Sequence, residues 1–452
     1  MNLKEYLGKH PDVLSFKILD KNTLFYSTIV DSECDKNNES KFWGKLFDIS
    51  YQKMEKLENS TNSTDVWKSS YDNSFIPKDE MDEWLNNSIS RIKKLINEDS
   101  KVLEIGSGNG LIFDSIIDDV SKYTGTDVAE KGLNLIANSK KGKLNANKIN
   151  LYQLDALNID EIPKHKYDLI IVNSVAQYFP SLDYIFNVVK KLEQYASQNC
   201  NIYLGDIRSY ELQKLFYYDI LNKKQPKISN EDLKTKITNL EKRENETLYN
   251  SNLFTLFTKV FNYINSCCVE LKDGKFNNEL NLYRYDVTLF CNYKKEGSSA
   301  INSFNWEEFK NPKEDIIEKL KILQNNEVLE IANIPNSRFN KVKDGYKSLY
   351  NMENIQTSLK AHSLSFFKEL AIKENVFIQS NFSKEDVLMF NVQFCKMKLF
   401  SIKEVNDQVK YENLSNKFNE KTNKEDRELE LKIRTEFPNV IISKVSNYLL
   451  SK

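Results

Sequence analysis

Between residues 101 and 210 the apolar pattern changes period repeatedly. Short apolar runs at 102–105 (VLEI), 168–173 (DLIIVN) and 202–204 (IYL) alternate with helical spacings such as Ile185, Phe186, Val188, Val189 and Leu192. Strand-length runs separated by amphipathic helices predict βαβ units and a parallel sheet. Weaker strands fit 122–127 and 149–154. A Lys/Glu-rich helical stretch, 211–263, follows the fifth strand, and the runs 267–272 (CCVELK) and 282–292 (LYRYDVTLFCN) flank Asp273-Gly274-Lys275, which predicts an antiparallel hairpin.

Outside this region the pattern differs. Residues 1–45 read as an N-terminal appendage with one alternating strand at 24–30. Residues 46–100 read as a helical cap, since Met81, Trp84, Leu85, Ile89 and Ile92 recur at helical spacing behind Pro77 and Lys78-Asp79-Glu80. After a Gly/Ser/Asn break at 296–303, residues 300–452 predict an α+β subdomain with strands at 327–333 and 387–399 and a closing helix at 424–451. The core then spans 101–299, with 211–263 as a helical lid.

Length and charge narrow the function classes. With 452 residues and 40% hydrophobic content, two or three packed units are expected, because single cores stop growing near ~250–300 residues. Lys+Arg at 64 against Asp+Glu at 65 leave a net charge of −1, which argues against nucleic acid or an anionic membrane as main partner. The first residues carry no apolar targeting segment and no 18-residue apolar run follows, so a cytoplasmic protein is expected. Six cysteines without C-x-x-C spacing and three scattered histidines give no basis for a metal site or a disulfide framework.

Glycine is scarce, 12 in the chain against a usual ~7% of residues, yet three fall at 106, 108 and 110. The run from Val102 to Gly110 is a strand ending in Glu104, then G-x-G-x-G opening a helix. Such a turn lets backbone pass close to a ligand and offers free N–H groups. The dinucleotide fingerprint would need glycine at 111, where Leu111 stands. An acid two residues before the first glycine is the form that takes S-adenosylmethionine, which nominates Glu104, Gly106 and Gly108. Asp127 ends the second strand 17 residues after Gly110, where a carboxylate accepts ribose hydroxyls. Asp155 and Ala156 end the third strand near the expected adenine; a plain turn-forming Asp is the competing reading. Asn173 and Ser174 end the fourth strand, at the switch point of the sheet.

The segment Asn173-Ser174-Val175-Ala176-Gln177-Tyr178-Phe179-Pro180 closely resembles the N-S-V-x-Q-Y-F-P signature of the N-methyltransferase domains of nonribosomal peptide synthetases. Trp67-Lys68-Ser69-Ser70-Tyr71-Asp72 with Ile76-Pro77, Met81 and Trp84, Gly205-Asp206-Ile207-Arg208-Ser209, and Asn278-Glu279-Leu280 with Tyr283-Arg284-Tyr285-Asp286-Val287 are similar to further motifs of that family, in order. Glu244-Asn245-Glu246-Thr247-Leu248 is similar to its E-K-E-L-L, departing at the second position, and Ile334-Pro335-Asn336-Ser337-Arg338 to its I-P-N-A-R. Only His10-Pro11-Asp12-Val13 echoes the adenylation domain that hosts the family's insertions, so the resemblance suggests a free-standing version.

The resemblance implies an α/β, Rossmann-like class I methyltransferase with a seven-stranded sheet, a helical N-terminal cap and a C-terminal α+β subdomain. It implies S-adenosyl-L-methionine as cofactor, S-adenosyl-L-homocysteine as product, and an aminoacyl or peptidyl amine on a carrier-protein thioester as acceptor. It nominates Asn173, Gln177, Tyr178 and Arg208 at strand ends, with Glu244 and Glu246 from the lid, to hold that amine. Solvated helix charges are the plainer reading of the two glutamates. Tyr71 is expected near the methionyl end of the cofactor or as a core tyrosine, and Arg284 as a structural partner of Asp286 or a lid acid. A methyltransferase of a small free metabolite acting on sulfur, oxygen or carbon, and a silent cofactor-binding module, are the alternatives.

Overall fold

The computed structural model describes residues 13–20, 23–28, 47–48, 51, 67–244, 246–293, 300–351, 361–396, 413–416 and 441–444. β1 (Val13–Asp20) and β2 (Thr23–Thr28) form an antiparallel hairpin. The helix Lys78–Lys93 follows Pro77, places Asp79 and Glu80 in its first turn and Arg91 and Lys93 in its last, and so matches its own dipole. Its apolar face buries Met81, Trp84, Ile89 and Ile92.

The main sheet contains β3 (Lys101–Ile105), β4 (Lys122–Asp127), β5 (Ile149–Gln153), β6 (Tyr167–Asn173), β7 (Ala196–Arg208), β8 (Ile264–Leu271) and β9 (Arg284–Cys291). Their spatial order is β5-β4-β3-β6-β7-β9-β8. The first five are parallel, and β9 runs antiparallel to both β7 and β8. Five parallel strands closed by an inserted antiparallel hairpin make this the class I methyltransferase sheet. Alternation along β6 builds two faces. Ile170 and Val172 pack with the helices Leu182–Leu192 and Asn252–Val260, while Leu169 and Ile171 pack with Ile89, Ile92 and Phe113 on the other side. The chain steps to opposite sides of β3 at β4 and β6, so the carboxyl ends of these strands flank the switch-point crevice where ligands bind in such sheets.

β10 (Ala300–Asn305), β11 (Glu327–Pro335), β12 (Phe377–Phe382) and β13 (Met389–Cys395) form a second sheet, ordered β10-β11-β13-β12 and covered by the helices Pro312–Ile322 and Leu364–Lys373. β10 and β12 are strands that the sequence pattern did not reveal. In β10 only Ile301 and Phe304 are partly buried, three residues apart and so without the two-residue alternation of a strand, and in β12 the polar run Gln379-Ser380-Asn381 interrupts the signal. The helix expected at 424–451 is corrected at 441–444. Ile441–Lys444 is β14, paired parallel with β2, which suits two β-branched isoleucines; 424–440 and 445–451 lie outside the described residues.

Between β7 and β8 stand the helices Gln213–Lys224, Asn230–Arg243 and Asn252–Val260. The first two share one buried cluster, containing Phe216, Tyr217, Ile220, Leu233 and Ile237, with Phe339, Tyr346, Leu349 and Leu388 from the later part of the chain. A Cβ at Gly345 would lie 1.9 Å from Tyr218 Oη, so a side chain there would displace the Tyr218 hydroxyl. The second sheet's unit therefore braces the helices that wall the site. Phe339→Ala, removing a ring 3% exposed and 6.0 Å from that of Tyr283, is expected to cost about 3–5 kcal/mol, read as a lowered urea midpoint.

Candidate active site

The glycine turn after β3 is fastened to β4, because the N–H groups of Gly106 and Ser107 both donate to Thr126 O at 2.7 and 3.0 Å. Gly106 and Gly108 hold φ of +74° and +54°, and a Cβ on Gly106 would fall 2.2 Å from Val175 Cγ2. Glycine is the residue that satisfies both demands. Asp127 Oδ2 accepts the Gly108 N–H at 2.7 Å and its Oδ1 accepts the Ala129 N–H at 2.8 Å. Burial nevertheless raises Asp127 to about 6, against those backbone hydrogen bonds. Glu104 is 2% exposed and accepts the Tyr123 hydroxyl at 2.5 Å, and burial lifts it to about 8.

These groups line a cleft of about 140 Å³ together with Phe47, Tyr51, Trp67, Trp84 and Phe179. Asp155 lines it too; its Oδ1 accepts the N–H groups of Leu157 and Asn158 at 2.8 and 3.1 Å, so it forms the turn as well as facing the cleft. Ala156 is buried beside it. Asn173 presents a buried Oδ1 with no hydrogen-bond partner among the described residues, and Ser174, at φ +55°, donates to Asp206 Oδ2 at 2.6 Å. Among the described residues the lining holds three carboxylates and no Lys, Arg or His.

A second, larger chamber of about 550 Å³ shares Trp67 and Tyr178 with the first. Gln177, Arg208, Glu244, Glu246, Glu279 and Arg284 line it. Arg208 forks across both lid acids, Nη1 to Glu246 Oε2 at 2.6 Å and Nη2 to Glu244 Oε2 at 2.8 Å. Glu244 also accepts the Tyr217 hydroxyl at 2.6 Å. Burial alone would raise Glu244, but Arg208 and these hydrogen bonds hold it below the usual range. Tyr178 sits where the chambers meet, its hydroxyl pushed up by burial and then by Glu246.

A methyltransferase-domain family matches residues 103–202. A nonribosomal peptide synthetase of Alternaria alternata is 29% identical over 322 residues, 68% of this chain and 6% of its own length. The chondramide synthase of Chondromyces crocatus is 30% identical over 267 residues, covering 59% and 7%, and peramine synthetase A of Epichloe festucae is 35% identical over 234 residues, covering 50% and 8%. The chain thus spans less than a tenth of these relatives. The N-methyltransferase NodS of Bradyrhizobium japonicum, solved with S-adenosyl-L-homocysteine, superposes at a TM-score of 0.33 with 13% identity over 53% of this chain and 97% of that one. The chain carries an S-adenosylmethionine-dependent methyltransferase domain, similar in sequence to segments of these nonribosomal peptide synthetases.

S-adenosylmethionine fits the first cleft by charge, since an acid-rich lining without cations suits a ligand bearing a sulfonium and an ammonium, and it opposes the phosphates of a dinucleotide. In this methyltransferase Tyr71 takes the core placement of the two expected and not the cofactor one: it lines neither chamber, donates to Asp219 Oδ2 at 2.7 Å and stands edge-on to Phe216. Its ring serves the lid contact because the turn at Ser69–Asn73 aims it at the helix Gln213–Lys224. Arg284 pairs with Asp206, not with Asp286 or a lid acid.

Asp206, within a quoted motif yet not nominated as a site residue, is central here. Buried at 1% exposure and φ +61°, it accepts Trp84 Nε1 at 2.9 Å and Ser174 Oγ, and pairs with Arg284 and, at 3.5 Å, with Lys272. Burial would raise its carboxyl, but Arg284, Lys272 and the hydrogen bonds outweigh that and bring it to about 2. Trp84 had a signal in its spacing from Trp67. Phe47 and Tyr51 had none, lying in a Lys/Asn-rich stretch without a motif. Asp206→Asn is expected to destabilise the protein by about 3–5 kcal/mol by leaving buried cations unpaired, measured by chemical denaturation at pH 7. Its folded value lies below the unfolded one, so the lost stability is the part present above about pH 4 and surrendered as pH falls toward 2.

Proposed function

We propose that the domain N-methylates the amine of an aminoacyl or peptidyl group presented as a carrier-protein thioester in nonribosomal peptide or related metabolite assembly. The carrying observation is the pair of adjoining chambers: an acid-lined cleft meets, across Trp67 and Tyr178, a larger space whose wall bears Glu244, Glu246 and Glu279. Carboxylates there suit an amine, and the names of the synthetase relatives supply the acyl context.

When bound, S-adenosylmethionine supplies an electrophilic methyl group. Of the residues lining the cleft, Asp127 would hold the ribose hydroxyls on its remaining lone pairs, Glu104 and Asn173 would serve the cationic end, and Asp155 with Ala156 would hold the adenine. Glu246 Oε1, the oxygen not bonded to Arg208, accepts the acceptor's ammonium proton, because a protonated amine has no lone pair to offer. An α-amine's reference pKa of ~7.7–8.0 makes that transfer easy. Arg208 fixes both glutamates in place, Gln177 and Tyr178 orient the amine, and the enclosing walls exclude water, so alignment does most of the work.

The direct test incubates the protein with S-adenosylmethionine and aminoacyl-pantetheine thioesters and follows products by mass spectrometry. A mass gain of one methylene, placed on the α-nitrogen by fragmentation, is expected; a methyl on oxygen, sulfur or carbon, or turnover of free amino acids alone, would sink the proposal. Glu246→Gln should lower kcat about 10²-fold, with the deficit shrinking as pH passes ~8 and the amine loses its proton unaided. Asp127→Asn should weaken cofactor binding about tenfold or more. In calorimetric titrations, wild-type affinity should fall as pH drops through about 6, where Asp127 gains a proton, and the Asn variant should lack that dependence.

A further inference from the structure

Glu246 is the more open of the two lid acids, its side chain 26% exposed against 12% for Glu244. A long side chain so placed keeps several rotamers unless its surroundings remove them. Its Oε2 is held by Arg208 Nη1 at 2.6 Å, so the aim of Oε1 is only as fixed as the guanidinium. That group is held in turn through Nη2, which donates to Glu244 Oε2 at 2.8 Å. Glu244 has both oxygens engaged by protein donors: Oε1 accepts the Glu246 N–H at 2.9 Å, and Oε2 accepts the Tyr217 hydroxyl at 2.6 Å besides Arg208.

This line of contacts ends on the helix Gln213–Lys224. Gln213, Phe216 and Tyr217 stand at positions i, i+3 and i+4 and share one face, which lines the larger chamber. Gln213 Nε2 donates to Tyr217 Oη at 3.3 Å, and the Phe216 ring centroid lies 6.0 Å from Arg208 Cζ, within reach of cation–π attraction. Because the phenolic oxygen accepts from Gln213, its single proton is directed to Glu244. Burial, and then Glu244, pushes that hydroxyl up, so it stays a neutral donor throughout the range in which an amine titrates. A phenylalanine ring would fill the same space; the hydroxyl is what reaches the lid acid.

We propose that Tyr217 is a positioning residue for methyl transfer: through Glu244 and Arg208 it holds Glu246 in the orientation that offers Oε1 to the substrate's ammonium group. This rests on the amine-methylating reading above. The two glutamates then have different tasks. Glu244 is the fixed anion that seats Arg208, and Glu246 alone exchanges a proton with the substrate. Tyr217 touches no reacting atom, since its hydroxyl is engaged by Glu244, but a reaction governed by alignment is sensitive to small displacements of the groups that do.

The test is a double-mutant cycle on turnover of an aminoacyl-pantetheine thioester at saturating S-adenosylmethionine. Tyr217→Phe is expected to lower kcat about tenfold, the scale of a hydrogen bond to a charged group, with KM for the thioester and Kd for S-adenosylmethionine near their wild-type values. In the Glu246→Gln background the same substitution should cost nothing further, because the acid it positions is gone. Gln213→Leu, which leaves the phenol in place but undirected, should give a smaller loss that the Glu246→Gln background also abolishes, and it carries the test if Tyr217→Phe folds poorly. An unchanged kcat in Tyr217→Phe overturns the proposal. So does an equal loss in both backgrounds, which would make the effect one of general structure, and so does a change confined to KM, which would make Tyr217 a wall of the chamber only. If Glu246→Gln itself turns over at the wild-type rate, the proton-acceptor reading fails and the relay falls with it; a deficit in Glu246→Gln without one in Tyr217→Phe removes the relay alone.

Discussion

The buried charge cluster around Asp206 is the constraint on which the site depends. Asp206 and Asp286, both 1% exposed, stand among Arg91, Lys272 and Arg284, with Glu270 at 3.6 Å from Arg91. That makes three cations against three carboxylates, drawn from the helix Lys78–Lys93, β7, β8, β9 and the residue after β8. Asp286 Oδ1 accepts the Asp206 N–H at 2.7 Å, so even the backbone at the left-handed Asp206 is held by charge. Such a cluster repays its desolvation only when every member is present and well placed. It therefore acts as a registration device. The Trp84 indole, the Ser174 hydroxyl and the Arg284 guanidinium all meet on one carboxylate, and those side chains face the two chambers.

From that anchor the division of labour follows. The cleft beside the glycine turn is walled by Trp84 and Ser174, the chamber under the lid by Arg284, and Trp67 and Tyr178 stand between. The lid acids are fixed independently, by Arg208 from the end of β7, so β7 delivers both the anion that organises the cofactor side and the cation that organises the acceptor side. A peptide segment at 413–416 adds a further hold: Asn416 Nδ2 donates to Glu246 O at 2.9 Å and its Oδ1 accepts the Leu248 N–H at 2.8 Å. The second sheet reaches the same wall through Phe339 and Tyr346. Parts of the chain that contribute no chemistry thus determine where Glu246 stands.

What could be read in the chain divides along the range of the forces involved. β6 was legible because a strand buried on both faces is a continuous apolar run, and β4 (KYTGTD) and β5 (INLYQ), without such a run, were legible from their place between helical spacings; 122–127, 149–154 and 168–173 differ from β4, β5 and β6 by at most one residue at an end. The glycine turn was legible because glycine is scarce elsewhere. Strands β10 and β12 were not, since half of each faces water or polar neighbours and their pairing with β11 and β13 comes from tertiary contact. Which of its two expected places Tyr71 takes was hidden for a related reason: a motif fixes which residue is present, whereas the direction of its ring depends on a turn and on Asp219, 148 positions away. The partner of Arg284 was equally hidden, because Asp286 is its neighbour in sequence but β-strand alternation sends the two side chains of β9 that lie two apart into a common layer where Arg91 and Lys272 already claim Asp286.

The contrast in charge between the chambers has an energetic logic. In the cofactor cleft Glu104 and Asp127 are buried without a cation, and both are raised, to about 8 and about 6. Their folded values exceed the unfolded ones, so between about pH 4 and pH 8 the folded protein binds more protons and its stability falls as pH rises across that window. A cavity that holds its carboxyls back from ionising favours a cationic occupant, whose arrival draws them toward the charged form. The acceptor chamber does the reverse: its inner acids are already compensated by Arg208. One sheet can hold both environments side by side because the cluster at Asp206 is internally neutral, leaving each chamber's field to be set by its own lining.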